Sequence, residues 1–170
     1  MPLKELIANT DKIIGKFPNT YTFTKNLCER LMRGRKGSVP LTIVRPSIIN
    51  TSYCEPQPGW IDSFAAAAAL FAFIGLGIVR HALLDLQKIG DVVPVDAVVA
   101  TIIVAAATTF HEEKLTIIQV GTSDLNPLTW AEMKVDLLGY WNSTVSASKL
   151  GKAQIFTTTS PRRLKVEKLK

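Results

Sequence analysis

Cysteine and histidine are scarce in this chain of 170 residues, at two each. Cys28 and Cys54 show no CxxC or His-Cys spacing, which leaves neither a zinc site nor a disulfide framework to hold a fold together. His81 and His111 have no partner at ligand spacing, so both read as surface residues and no metal is expected. Reduced thiols suit a compartment facing the cytosol. A long apolar run is also missing. Residues 1–15 carry Lys4, Glu5, Asp11 and Lys12 in place of the apolar core of a secretory signal, and the uncharged stretch 64–79 is shorter than the ~20 residues a spanning helix needs. Nor does GxGxxG occur, so the backbone turn that cradles a dinucleotide's pyrophosphate is not encoded.

What is present is the composition of a folded globular domain, 47% hydrophobic and 20% charged. The formal net charge is +6, yet Arg162, Arg163, Lys165, Lys168 and Lys170 against Glu167 place four of those charges in the last few residues. The body is close to neutral. Such a tail could touch nucleic acid or an anionic membrane surface. Without interleaved aromatics and a basic body behind it, it reads as a solvated extension, and nucleic-acid binding is not expected.

Along the chain, Phe23, Leu27, Leu31 and Met32 fall at helical spacing over residues 22–35, before a break at Gly37 and Pro40. Residues 41–44 form a short β-branched run that Arg45-Pro46 should stop. Residues 47–60, rich in Pro, Gly, Asn and Ser, read as a long loop. Residues 64–79 form an apolar helix, either buried or resting on a membrane surface. A second apolar helix is expected over 97–107, with Asp96 as its N-cap. A strand at 115–120 and a helix over 128–141, opened by Asn126-Pro127, complete the pattern. Helices alternating with short buried strands predict an α/β domain with a mainly parallel sheet over residues 1–141, followed by a basic, flexible extension over 142–170.

Tyr21 and Lys25 lie four residues apart at the start of the first long helix, which puts a phenol and an ammonium on one face. Reduction of a carbonyl needs a proton for oxygen as hydride reaches carbon. A tyrosine can supply it when a neighbouring cation favours the phenolate. The lysine is such a cation, and its remaining donors can hold ribose hydroxyls. Alone, such a pair usually marks only a solvated helix face.

The segments around it are more specific. Residues 18–25 read PNTYTFTK, 43–47 read IVRPS, 55–62 read EPQPGWID and 93–96 read VPVD, with GTS at 121–123 and NPLTW at 126–130. In this order they resemble the extended short-chain dehydrogenase/reductase superfamily, and within it the fatty acyl-CoA reductases, also called male-sterility proteins. The resemblance covers residues 6–133. It implies a partial Rossmann-like domain and reduction of a long-chain acyl-CoA through an aldehyde to a fatty alcohol with NADPH. Tyr21 would be the general acid and Lys25 its cationic, ribose-binding partner. Pro46, Ser47 and Ile48 would line the nicotinamide. Pro58, Gly59 and Trp60 would belong to a substrate loop, with Trp60 open to a second reading as a packing aromatic.

The resemblance also implies a glycine-rich half and a substrate-orienting Ser or Thr upstream of the matching segments, so that a missing N-terminal half or a partner chain would complete the sheet. Where the family is polar and glycine-rich after the PGWID loop, this chain is alanine-rich. A cytosol-facing location follows, with possible attachment to an endoplasmic reticulum or peroxisomal membrane. The competing expectation is a non-catalytic structural or interaction subunit derived from the same fold.

Overall fold

Asn19 decides where the first long helix begins. In a computed structural model that describes residues 2–111, 113–143 and 156–157, its side-chain oxygen accepts the Thr22 N–H at 2.9 Å. That satisfies one of the unpaired donors of a helix start. Two short helices, α1 (Leu3–Ala8) and α2 (Thr10–Ile14), precede α3 (Thr20–Arg35). The N-cap therefore sets α3 two residues earlier than its apolar spacing suggests, and Tyr21 falls inside the first turn. Phe17 packs edge-on against Phe23, ring centroids 5.6 Å apart, and fixes the entry of the chain much as a hydrophobic staple does.

The described residues form two compact units. One draws on 2–44, 103–111 and 113–118, the other on 45–102, 119–143 and 156–157. In the first, Lys36 Nζ donates to the Glu113 carbonyl at 2.6 Å and so ties the turn after α3 to the chain that enters the strand β5 (Leu115–Val120). Strand β1 (Leu41–Pro46) pairs with β5. It runs through Arg45-Pro46, where the sequence pattern placed its stop, because a proline in the last position of a strand costs no ladder bond that the strand needs. Thr42 and Thr109 share a hydroxyl hydrogen bond of 2.6 Å, which joins β1 to the end of α5 (Val95–Thr109).

In the second unit the expected loop 47–60 contains a strand. β2 (Ile48–Asn50) pairs in parallel with β4 (Val92–Pro94), in the register Ile48↔Val92, Ile49↔Val93, Asn50↔Pro94. Two isoleucines between Ser47 and Asn50 carry little local signal. Their partner lies more than forty residues away, so only the tertiary pairing makes them a strand. Val93 is fully buried. Helix α4 (Ala66–Gly75), from the expected apolar segment, packs on β2 and on α6 (Trp130–Ser143) and buries Ala67, Ile74 and Gly75. Phe64 and Phe73 remain exposed. No helix among the described residues is long and apolar enough to cross a membrane.

The approach of α4 to α6 depends on glycine, since a Cβ at position 75 would overlap the Trp141 indole. Helix α6 opens at Thr129 rather than at Asn126-Pro127. Thr129 N–H and Oγ1 both donate to Glu132 Oε2, at 2.8 and 2.6 Å, and Glu132 N–H returns a bond to Thr129 Oγ1 at 3.3 Å. This is a capping box, whose T-x-x-E spacing was present in the sequence. The third strand pair, β3 (His81–Ala82) with β6 (Phe156–Thr157), is also parallel. The α/β class with parallel pairing holds, with the strands arranged as three two-stranded sheets among the described residues. Of the basic extension expected over 142–170, the cluster at 162–170 lies outside the described residues.

Candidate active site

In the first unit the helix start brings Tyr21 and Lys25 together. Both side chains are exposed, Tyr21 at 67%, and the Lys25 ammonium lies 5.5 Å from the centroid of the Tyr21 ring, within cation–π range. The phenol and the ammonium are open to a ligand arriving from solvent.

The other expected site residues belong to the second unit. The backbone of the turn after β1 is fixed on both sides, with Ser47 N–H donating to the Val120 carbonyl at 2.8 Å and Ile48 N–H to the Asp91 carbonyl at 3.0 Å. Pro46 and Ser47 line a cavity of about 300 Å³ shared with Asp91, Gly121, Ser123 and Asp124; Ile48, next in the chain, is partly exposed. The Ser47 hydroxyl is buried and has no hydrogen-bond partner among the described residues. A buried hydroxyl left unpaired is costly, and a polar ligand group would relieve it. Arg45 lines this cavity beside Asp91 and Asp124, so its wall carries charge of both signs. The Ser47 hydroxyl, without a partner among the described residues, suits a neutral amide or a sugar hydroxyl, so the residues present fit the nicotinamide end of a dinucleotide.

A second cavity of about 420 Å³ is lined by Asn50, Tyr53, Pro94, Thr122, and again Gly121 and Ser123. Gly121 and Ser123 thus form a wall common to both spaces. Ser123 Oγ donates to Asp91 Oδ1 at 2.5 Å, which holds that wall in place.

Beside the second cavity runs the loop that carries Pro58, Gly59 and Trp60. Ser52, only 4% exposed, closes it. Its Oγ donates to the Gln57 carbonyl at 2.5 Å and accepts the Trp60 N–H at 3.1 Å, while its backbone bonds to Trp60 and Gly59 at 3.0 and 2.9 Å. Gly59 has φ of +79°, a left-handed conformation that glycine adopts without the cost a Cβ would bring. Trp60 is 37% exposed, and neither cavity is lined by Pro58, Gly59 or Trp60; from this stretch of chain Tyr53 lines the second.

Asp96 departs from its expected role. Helix α5 begins at Val95, so Asp96 stands in its first turn rather than ahead of it. Although Asp96 Oδ1 also accepts the Ala97 N–H at 3.2 Å, the carboxylate is mainly turned to another segment. It accepts the Tyr53 N–H at 3.0 and 3.1 Å, the Cys54 N–H at 2.7 Å and the Glu55 N–H at 3.1 Å. These bonds, that from Tyr53 foremost, hold the Asp96 carboxyl well below the usual carboxylate range. Sequence reasoning missed Asp96 as a loop anchor, and with it Ser52, Asp91 and Ser123. The VPVD string marked Asp96 as notable, but helix-start chemistry explains an aspartate there just as well. No spacing rule links residue 96 to residue 53.

The comparisons with known proteins agree with the family resemblance. The family described as male sterility protein matches residues 3–102. Fatty acyl-CoA reductase 8 of Arabidopsis thaliana is 35% identical over 150 residues, covering 88% of this chain and 30% of that protein. Fatty acyl-CoA reductase 2 of Mus musculus is 40% identical over 131 residues, 76% of this chain and 25% of its own length. Fatty acyl-CoA reductase 1 of Xenopus laevis is 37% identical over 131 residues, with the same coverage of 76% and 25%. This chain therefore spans between a quarter and a third of the length of the curated relatives it matches. With the family matched over more than half of the chain and relatives up to 40% identical, this chain belongs to the male sterility family of fatty acyl-CoA reductases.

Proposed function

We propose that the protein carrying these residues is an NADPH-dependent reductase that converts a long-chain acyl-CoA to a fatty alcohol by way of the aldehyde. The observation that carries this reading is the pairing of Tyr21 and Lys25 on one exposed face of α3, ammonium 5.5 Å from the ring, in a family whose relatives are named as acyl-CoA reductases. NADPH supplies the hydride. In the aldehyde step Tyr21 gives its hydroxyl proton to the carbonyl oxygen, and Lys25 stabilises the phenolate that remains and bonds the nucleotide ribose. Ser47, whose buried hydroxyl has no partner among the described residues, offers a hydrogen bond to the carboxamide end of the cofactor. Overall, each acyl-CoA consumes two NADPH and two protons and releases free CoA and the alcohol.

The test is acyl-CoA-dependent NADPH oxidation by the full-length protein, with the alcohol product identified by gas chromatography. Turnover that yields alcohol supports the reading; oxidation of NADPH without an acyl-derived product overturns it. The second reading, a non-catalytic subunit of this fold with a partner segment on its apolar surface, is favoured by the exposure of Leu27, Leu31 and Met32 along α3. It predicts no turnover with any acyl-CoA, and tight association with another chain.

A further inference from the structure

Loops that contact substrate lose affinity when they must be ordered at the moment of binding, so any group that fixes such a loop in advance contributes to recognition without touching the ligand. The loop after β2 is fixed at two points. Ser52 gathers Gln57, Gly59 and Trp60 from within the loop. Asp96 gathers Tyr53, Cys54 and Glu55 from outside it, through three consecutive backbone N–H groups at 2.7 to 3.1 Å. Side-chain chemistry could be replaced in many ways, but three consecutive amides converging on one carboxylate constrain the backbone itself. A neutral amide in its place keeps one accepting oxygen and turns an NH₂ toward donors. The segment held in this way includes Tyr53, which lines the cavity of about 420 Å³.

We propose that Asp96 is a positioning residue for the acyl-CoA substrate: its carboxylate holds the backbone of Tyr53, Cys54 and Glu55 so that the loop presents a preformed wall to the thioester-bearing chain. This inference rests on the reductase reading above. It assigns Asp96 no contact with substrate and no proton transfer. Its effect is on the affinity for the acyl substrate, and the cofactor, whose expected contacts lie at Tyr21, Lys25 and Ser47, is unaffected.

The experiment compares the unmodified full-length protein with Asp96→Ala, Asp96→Asn and Asp96→Glu in three readouts: hydrogen exchange of the Tyr53, Cys54 and Glu55 amides, binding of palmitoyl-CoA by titration, and steady-state kinetics against palmitoyl-CoA and NADPH. The expected result is faster exchange confined to those three amides and that of Ala97, which Asp96 Oδ1 also accepts, in Asp96→Ala, with palmitoyl-CoA affinity and the corresponding KM weakened about tenfold and the KM for NADPH unchanged. Asp96→Asn should fall between, and Asp96→Glu, which retains the carboxylate, should recover part of the loss. Faster exchange with unchanged palmitoyl-CoA affinity would overturn the proposal, since the loop would then be anchored without serving the substrate. Equal losses for both substrates with faster exchange throughout the second unit would overturn it too, as a folding defect. Absence of turnover in the unmodified protein sinks the reductase reading separately. The binding titration then decides whether Asp96 still sets acyl-CoA affinity, and no dependence on Asp96 there sinks the positioning role.

Discussion

At the scale of single residues, the chemistry proposed here rests on one oxygen. Tyr21 is two-thirds exposed, and Tyr21→Phe removes the proton donor while leaving α3 capped by Asn19. In the full-length protein the substitution is expected to lower kcat by about 10²- to 10⁴-fold, the usual contribution of a positioned acid, with an unchanged urea midpoint. Activity near that of the unmodified enzyme would remove Tyr21 from the acid role. Lys25→Ala should weaken NADPH binding as well as turnover, because the same ammonium serves the ribose and the phenolate; fluorescence titration with NADPH reads this directly. Asp96 gives a pH signature. Its carboxyl titrates lower when folded than when unfolded, so its contribution to stability is complete above about pH 4 and is lost as the pH falls further toward the depressed value. Thermal midpoints measured from pH 6 downward should therefore drop more steeply in the unmodified protein than in Asp96→Asn.

At the scale of elements, two contacts carry separable predictions. Helix α6 begins with the reciprocal Thr129–Glu132 box, so Thr129→Ala should cost about 1 kcal/mol, read as a lower urea midpoint. Where α4 meets α6, Gly75 leaves no room for a side chain against Trp141. Gly75→Ala should destabilise by roughly 1–3 kcal/mol through overpacking, although alanine favours an isolated helix over glycine. The sign of that change tests the close approach. In a Trp141→Leu background the cost of the alanine should largely vanish, a coupling that a double-mutant cycle measures. The apolar run that forms α4 was evident from composition. Its partner was not, because β2 is three residues long and takes its identity from a parallel pairing with β4.

At the scale of the whole molecule, the 170 residues contain the proposed acid and its cation but no GxGxxG turn. Phosphate recognition at such a turn supplies much of dinucleotide affinity, and the cavity beside Ser47 carries Asp91 and Asp124 as well as Arg45. The isolated chain is therefore expected to show no measurable heat on titration with NADPH at micromolar concentrations. Low-micromolar binding would point instead to a phosphate site elsewhere, with the basic cluster at 162–170 the first place to look. The sequence by itself determined the α/β class, the family, the Tyr21–Lys25 pair and the three longest helices, because each is written in local spacing or in a contiguous motif. Helix α3 follows from its apolar period and its cap, and the Tyr-Lys face follows from four-residue spacing on that helix. Only the tertiary structure decided that Ile48 and Ile49 form a strand, that Ser47 buries a hydroxyl with no partner among the described residues, and that Asp96 serves the backbone of Tyr53, Cys54 and Glu55 more than its own helix. Each of these depends on groups brought together from distant parts of the chain, and no local rule of period, cap or turn encodes which distant amide an aspartate will meet.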